Sequence, residues 1–239
     1  MAKIQTASSS SIPPKGTQTT KMTNLQPESV SRETLADSTL AHSTYITKYF
    51  PGQEEAIRTY AEFLTTAGIE RGLIGPREGE RIWERHIFNC LPVTQLLPQG
   101  ASLFDIGSGA GLPGIVIALA RPDLKVTLIE PLERRVEFLN EAVAAIAAGG
   151  VEITVIRGRA QDVKKSADFV TARAVAPMEK LKKISWHMVK TGGSLLAMKG
   201  ESAANEMVGI KGAQLHEIKL EGIELGRVIS VRKGSALSA

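Results

Sequence analysis

Phe104-Asp-Ile-Gly-Ser-Gly-Ala-Gly-Leu-Pro-Gly114 decides the fold of this chain. The apolar run Leu103 to Ile106 reads as a short buried strand, and Ile115-Val-Ile-Ala-Leu-Ala120 reads as the start of a helix. Between them Gly107, Gly109 and Gly111 allow a tight turn at positive φ and a close approach of backbone to a ligand. The free amides of the following helix point at that ligand. Gly109-x-Gly111-x-x-Gly114 also has dinucleotide-fingerprint spacing, so the glycines alone leave NAD and S-adenosylmethionine both open. Asp105 separates them. An acid two residues before the first glycine faces an anionic pyrophosphate poorly and suits the cationic amino-acid end of S-adenosylmethionine. Pro113 also removes an amide that a phosphate would use.

Outward from this turn the pattern alternates strand and helix. Strands are expected at Ala101–Ile106, Leu124–Ile129, Val151–Ile156, Asp168–Ala172 and Gly193–Met198, and helices at Leu112–Arg121, Leu132–Ala148 and Met178–Lys190. Ala213–Lys219 and Val228–Lys233 read as a terminal antiparallel pair. Such alternation gives an α/β fold, helices on both faces of a mostly parallel sheet, with ligands beyond the carboxyl ends of the strands. Upstream, Gln53–Ala67 and Pro76–Leu91 carry apolar residues at helical spacing and predict a small helical cap over 45–98, ahead of a ligand-binding domain over 99–233 and a tail over 234–239. Residues 1–44 hold eight Ser and eight Thr with no sustained periodicity, which predicts a disordered or weakly ordered extension.

Composition narrows the class. With 239 residues, 43% of them hydrophobic and 23% charged, the chain has room for one α/β domain plus extensions. No apolar run approaches the roughly 18 residues of a membrane span. A single cysteine, Cys90, rules out an internal disulfide and a cysteine-cluster metal site, and points to a reducing cytoplasm. His42, His86, His187 and His216 show no metal-ligand spacing, so no metal is expected. The net charge of +4 permits a nucleic-acid partner without demanding one.

Candidate site residues follow from their places in this pattern. Glu130 ends the second strand of the ligand-binding domain, where an acid accepts the hydroxyl hydrogens of an adenosine ribose. Ala160 and Gln161 follow the third, at the adenine edge. The fourth ends in Thr171-Ala-Arg-Ala-Val-Ala-Pro177. That sequence lacks the Asp/Asn-Pro-Pro-aromatic tetrad of base amino-group methylation and the cysteine of pyrimidine carbon methylation. A guanine N7, whose lone pair is free at neutral pH, fits what remains, because the protein then has only to align it. Arg173 is placed to meet a guanine, a phosphate or the methionyl carboxylate. Lys199 lies on the same rim, and Arg85 and His86 lie on a cap helix that reaches over the opening. Arg173, Lys199 and His86 are the candidate catalytic residues, although a histidine beside Trp83 and Ile87 packs more often than it catalyses.

Glu84-Arg-His-Ile-Phe-Asn89, Asp105-Ile-Gly-Ser-Gly-Ala-Gly-Leu-Pro-Gly114, Glu130-Pro-Leu-Glu-Arg-Arg-Val-Glu-Phe-Leu139, Arg173-Ala and Met198-Lys-Gly200 together resemble, in the same order, the bacterial 16S rRNA guanine-N7 methyltransferases of the RsmG/GidB family. The likeness covers roughly residues 50 to 233. It implies a Rossmann-like class I methyltransferase fold with a seven-stranded sheet and S-adenosyl-L-methionine as cofactor. It also implies transfer to the guanine at position 527 in the 530-loop of 16S rRNA, presented as rRNA or as a small ribosomal subunit particle; N7 chemistry itself needs no general base, and the oligomeric state stays open with a monomer expected. By position, the resemblance implies cofactor contacts at Gly107, Leu112, Ala160, Gln161 and Arg173. The residues themselves add Asp105, Gly109, Gly111 and Glu130. Two other readings stay open. A NAD-type oxidoreductase would need a proton donor facing the nicotinamide, such as a Tyr and Lys on one helix, and a non-catalytic RNA-binding module would need no intact cofactor loop.

Overall fold

The computed structural model describes residues 3–7 and 42–234. Strands β1 (Lys3–Ala7), β2 (Ser102–Ile106), β3 (Lys125–Glu130), β4 (Glu152–Arg157), β5 (Ala167–Arg173), β6 (Val189–Lys199), β7 (Ala213–Lys219) and β8 (Gly226–Arg232) form one sheet in the order β1-β7-β8-β6-β5-β2-β3-β4. Strands β2 to β6 run parallel, and β6, β8, β7 and β1 pair antiparallel. The longer helices are α1 (residues 42–49), α2 (Glu54–Thr65), α3 (Gly114–Ala120), α4 (Glu133–Ala145) and α5 (Met178–Ser185), with single helical turns at Ala67–Glu70 and Ala203–Glu206. Among the described residues no helix is long and apolar enough to cross a membrane.

Chain order along the sheet places the site. From β2 the chain moves outward through β3 to β4, then returns to the other side of β2 as β5. The order therefore reverses between β2 and β5, and a crevice opens beyond their carboxyl ends. The glycine turn leaves β2 there, and Arg173 ends β5 there.

Side chains alternate across β2, as the strand period requires. Phe104 and Ile106 join Val170, Ala172, Met178 and Leu195 in the core on one face. Leu103 joins Tyr60, Ile115, Leu128 and Phe138 on the other. Asp105 lies on the same side as Leu103 and is fully buried. That second core is continuous from Ile46, Phe50 and Ile57 to Leu103 and Val126, so the residues expected as a cap are one layer of the sheet's own core.

Two segments differ from expectation. Pro76–Leu91 is not a continuous α-helix: it runs through 3-10 turns at Pro76–Arg81, a π-helical turn at Ile82–Ile87 and a 3-10 turn at Phe88–Cys90. Pro76 and Gly79 are poor helix formers, and tertiary bonds to its carbonyls, described below, compensate for the lost ladder. At the other end of the chain, β1 adds an eighth strand to the seven expected, pairing backbone to backbone with β7 from Lys3↔Lys219 to Ala7↔Leu215. An unpaired edge of β7 would leave amides and carbonyls open, and a short extended segment of almost any composition can satisfy them. Of the disordered or weakly ordered extension expected over 1–44, residues 3–7 form β1 and 42–44 open α1, while 8–41 lie outside the described residues.

Candidate functional site

The glycine loop is held from beneath. Gly107, Gly109 and Gly111 all have positive φ, at 68°, 57° and 97°. The Gly107 amide donates to the Ile129 carbonyl at 2.8 Å and the Gly111 amide to the Ser108 carbonyl at 2.7 Å. The buried Ser108 hydroxyl donates to the Asp105 carbonyl at 2.9 Å and accepts from the Ile129 amide at 3.2 Å. Tyr60 of α2 donates its hydroxyl to the Ala110 carbonyl at 2.7 Å. In sequence Tyr60 reads as one more apolar position on α2. The signal was its hydroxyl, which a buried tyrosine must satisfy.

Two carboxylates sit under this loop. Asp105 accepts the Gly114 amide on Oδ2 at 3.1 Å, while Oδ1 is buried with no hydrogen-bond partner. Burial pushes the Asp105 carboxyl up to about 7, and the Gly114 amide only partly offsets it. Glu130 is 1% exposed. Its Oε2 accepts the Gly109 amide at 3.0 Å and its Oε1 the Leu132 amide at 3.1 Å. It therefore organises the turn, and two of a carboxylate's roughly four acceptor positions remain.

Because the Asp105 carboxyl is raised above its unfolded value, its neutral form favours folding, and that contribution is lost as pH rises from about 4 through about 7. Asp105→Asn should therefore gain on the parent protein with pH. Its melting temperature relative to the parent is expected to rise by roughly 5 °C or more between pH 5 and pH 8. Parallel melting curves across that range would show instead that the carboxyl is not shifted.

A pocket of about 260 Å³ opens beside the loop, its walls including Gly107, Ile129, Pro131, Ala160, Gln161 and Val175. Apolar side chains face one another across it, with the Gln161 amide at the edge, which suits a flat heteroaromatic ring. Of the residues expected to meet the cofactor, Gly107, Ala160 and Gln161 line this pocket, whereas Asp105 and Glu130 lie beneath the turn. Leu112 is half-buried against the core. The residues fit S-adenosylmethionine on the structure's own terms. A Cβ on Gly109 would meet nothing closer than the Gly107 carbonyl at 3.8 Å, so the loop leaves room there. Below it lies an orphaned buried carboxylate oxygen.

A larger pocket of about 500 Å³ adjoins the first, and Val175 lines both. Its walls include Asn89, Arg173, Lys199, Glu206 and Arg227. Arg173 is not free here. Its Nη1 donates to the His86 carbonyl at 3.1 Å and to the Cys90 sulfur at 3.3 Å, and its Nη2 donates to the Arg85 carbonyl at 3.1 Å and faces His86 Nδ1 at 3.4 Å. The irregular turns of 82–90 supply these carbonyls. The fork is thus spent on tying that segment to the end of β5, which leaves Nε–H as the one N–H of Arg173 without a protein acceptor among the described residues.

His86 stands behind Arg173, not in the pocket wall. Its Nε2 lies 2.9 Å from Glu78 Oε2, and the tautomer with a proton on Nε2 satisfies both that contact and Arg173 at Nδ1. Burial lowers its pKa, the Glu78 carboxylate opposes this, and Arg173 lowers it further. Lys199 also has two partners, the Ala176 carbonyl at 2.8 Å and Glu206 Oε2 at 2.6 Å, and only 9% of its side chain is exposed. Two of the three expected catalytic side chains, Arg173 and Lys199, therefore meet in one pocket, but as bound groups. His86 supports one of them. Among the described residues no group of three or more His, Cys, Asp or Glu side chains is arranged to hold a metal ion.

The family model described as GidB, rRNA small subunit methyltransferase G, matches residues 53–228. Three relatives named ribosomal RNA small subunit methyltransferase G align closely. That of Kineococcus radiotolerans is 47% identical over 75% of this chain and 74% of its own length, and that of Thermobifida fusca 51% over 73% and 72%. That of Mycolicibacterium gilvum is 53% identical over 64% of this chain and 68% of its own length. The matched span runs from α2 through β8 and so contains the glycine turn, both pockets and the Arg173 fork. On this match the chain belongs to the rRNA small subunit methyltransferase G family.

Proposed function

We propose that the chain transfers a methyl group from S-adenosylmethionine to N7 of a guanine in small-subunit 16S rRNA, with the cofactor in the smaller pocket and the guanine in the larger. One observation carries this reading: the larger pocket has no free proton acceptor among the described residues that line it. Its one carboxylate, Glu206, is paired with Lys199, and the imidazole behind Arg173, His86, is committed to Glu78 and Arg173. An acceptor that must lose a proton has nothing there to take it, whereas guanine N7 needs none. When bound, S-adenosylmethionine supplies a sulfonium methyl group to an acceptor with a free lone pair. Asp105 and the glycine turn hold its amino-acid end, Ile129, Val175 and Gln161 enclose its adenine, and Glu130 stands at the ribose. The protein's task is then alignment and the exclusion of water. A NAD-dependent oxidoreductase is not favoured, since the family and the pocket chemistry both point elsewhere.

Nucleoside digestion and mass analysis of rRNA from cells with and without the protein tests the reading. Loss of one 7-methylguanosine supports it, and loss of a methyl group from any other position overturns it. In single turnover at saturating cofactor and RNA, the rate is expected to stay flat from pH 8 to 9, above the titration of Asp105 at about 7 and with His86 neutral because its pKa is lowered. His86→Ala should cost less than tenfold. A steep rise in rate with pH that disappears in His86→Ala would mean that a general base operates and the acceptor is not N7.

A further inference from the structure

Between the two pockets runs the turn 174–177, and its backbone is under strain. Ala174 has φ 55°, the only non-glycine residue at positive φ among those described. Side chains that carry a Cβ avoid this region, and such outliers persist where surrounding contacts force them. On one side the contact is Arg173, anchored as above. On the other, the Ala176 carbonyl accepts from Lys199 Nζ, and Lys199 is paired with Glu206. The 2.6 Å approach of Lys199 Nζ to Glu206 Oε2 pairs the two charges. Burial would push the Glu206 carboxyl up, but Lys199, the Ser202 hydroxyl and the Met178 amide more than offset it and hold it below its ordinary value. Between the anchors lies Val175. A Cβ on Gly107 would come within 2.8 Å of its Cγ2, so Val175 leans on the glycine turn while lining both pockets.

We infer that Glu206 is a positioning residue for methyl transfer: acting through Lys199, it fixes the turn 174–177 that separates the two pockets. The inference rests on the proposed function, in which the acceptor base occupies the larger pocket. If the turn relaxes, Ala174 leaves the left-handed region, Val175 moves off Gly107, and acceptor and methyl donor lose their alignment. Val175 also walls the cofactor pocket, so cofactor affinity falls too, but by less than the rate of transfer.

The test compares the parent protein with Glu206→Gln, alone and combined with Ala174→Gly, since glycine occupies φ 55° without strain. Glu206→Gln is expected to slow single-turnover methyl transfer about tenfold. Adenosylhomocysteine affinity should fall by no more than about threefold, and hydrogen exchange at amides 174–176 and 178 should rise. Adding Ala174→Gly should restore most of the rate, a rescue that a loss of general stability would not show. If the unpaired Lys199 ammonium prevents Glu206→Gln from folding, Lys199→Met with Glu206→Gln removes both charges and must give the same loss and the same rescue. An unchanged rate in a folded variant, or a loss that Ala174→Gly does not relieve, overturns the inference. A parent protein that methylates no rRNA overturns the proposed function instead. Exchange then decides the clamp alone, and unchanged exchange at these amides overturns it.

Discussion

Gly109→Val is expected to weaken S-adenosylmethionine and adenosylhomocysteine binding by about 100-fold or more while the protein stays folded. An added Cβ at this position meets open space, so a valine would take up no core volume. Its φ of 57° makes the substitution strained, at a cost of about 1–2 kcal/mol and therefore a few degrees in melting temperature. Gly111→Ala makes the opposite case. Its Cβ would fall 2.5 Å from Ile115 Cδ1 and 2.8 Å from the Tyr60 hydroxyl, which is itself bound to Ala110, so the inner packing of the loop must break. That variant should lose more stability than Gly109→Val, despite adding a smaller side chain. Calorimetric titration and thermal melting of the two side by side distinguish the faces of the loop. Unchanged affinity in Gly109→Val would remove the glycine turn from the binding site.

Arg173→Ala is expected to cut single-turnover methyl transfer by about two to three decades while changing cofactor affinity less than tenfold. The substitution takes the guanidinium from the Arg85 and His86 carbonyls, leaving them the weaker Asn89 and Cys90 donors, and frees the 82–90 turns from the end of β5. Both the wall of the acceptor pocket and the anchor on one side of Ala174 are lost together. Arg173→Lys should recover little, because one ammonium cannot span two carbonyls, a sulfur and an imidazole that a planar fork reaches at once. Full activity in Arg173→Lys would mean that the positive charge, not the fork, is what the reaction uses. A loss confined to cofactor binding would instead return Arg173 to the role of a methionyl-carboxylate contact.

Much of this was legible in the chain because it depends on neighbours in sequence. Three glycines in five residues behind an apolar run make a strand, a left-handed turn and a helix start, and nothing remote is needed to specify them. The period of two in β2 and the alternation of strands with helices gave the sheet and its crevice, and with them the rim on which Arg173 and Lys199 meet. The helix drawn through Pro76–Leu91 failed for a local reason that was also visible, Pro76 and Gly79, and for a remote one that was not. The carbonyls of Arg85 and His86 are satisfied by a guanidinium 88 and 87 residues away.

What the chain's local patterns left undetermined is which polar groups are already bound. Asp105 follows the strand period onto the core face, but its full burial and raised carboxyl depend on α2 and α3 closing over it. Tyr60 reads as an apolar contact until the fold carries Ala110 to its hydroxyl across 50 residues. Lys199 and Arg173 read as free cations offered to a substrate, and the assembled sheet engages both with the protein. Backbone preference and hydrophobic period act over a few residues and so are written in the order of the chain. The state of a charge depends on burial and on partners that only the crossing of distant strands and helices brings within bonding distance.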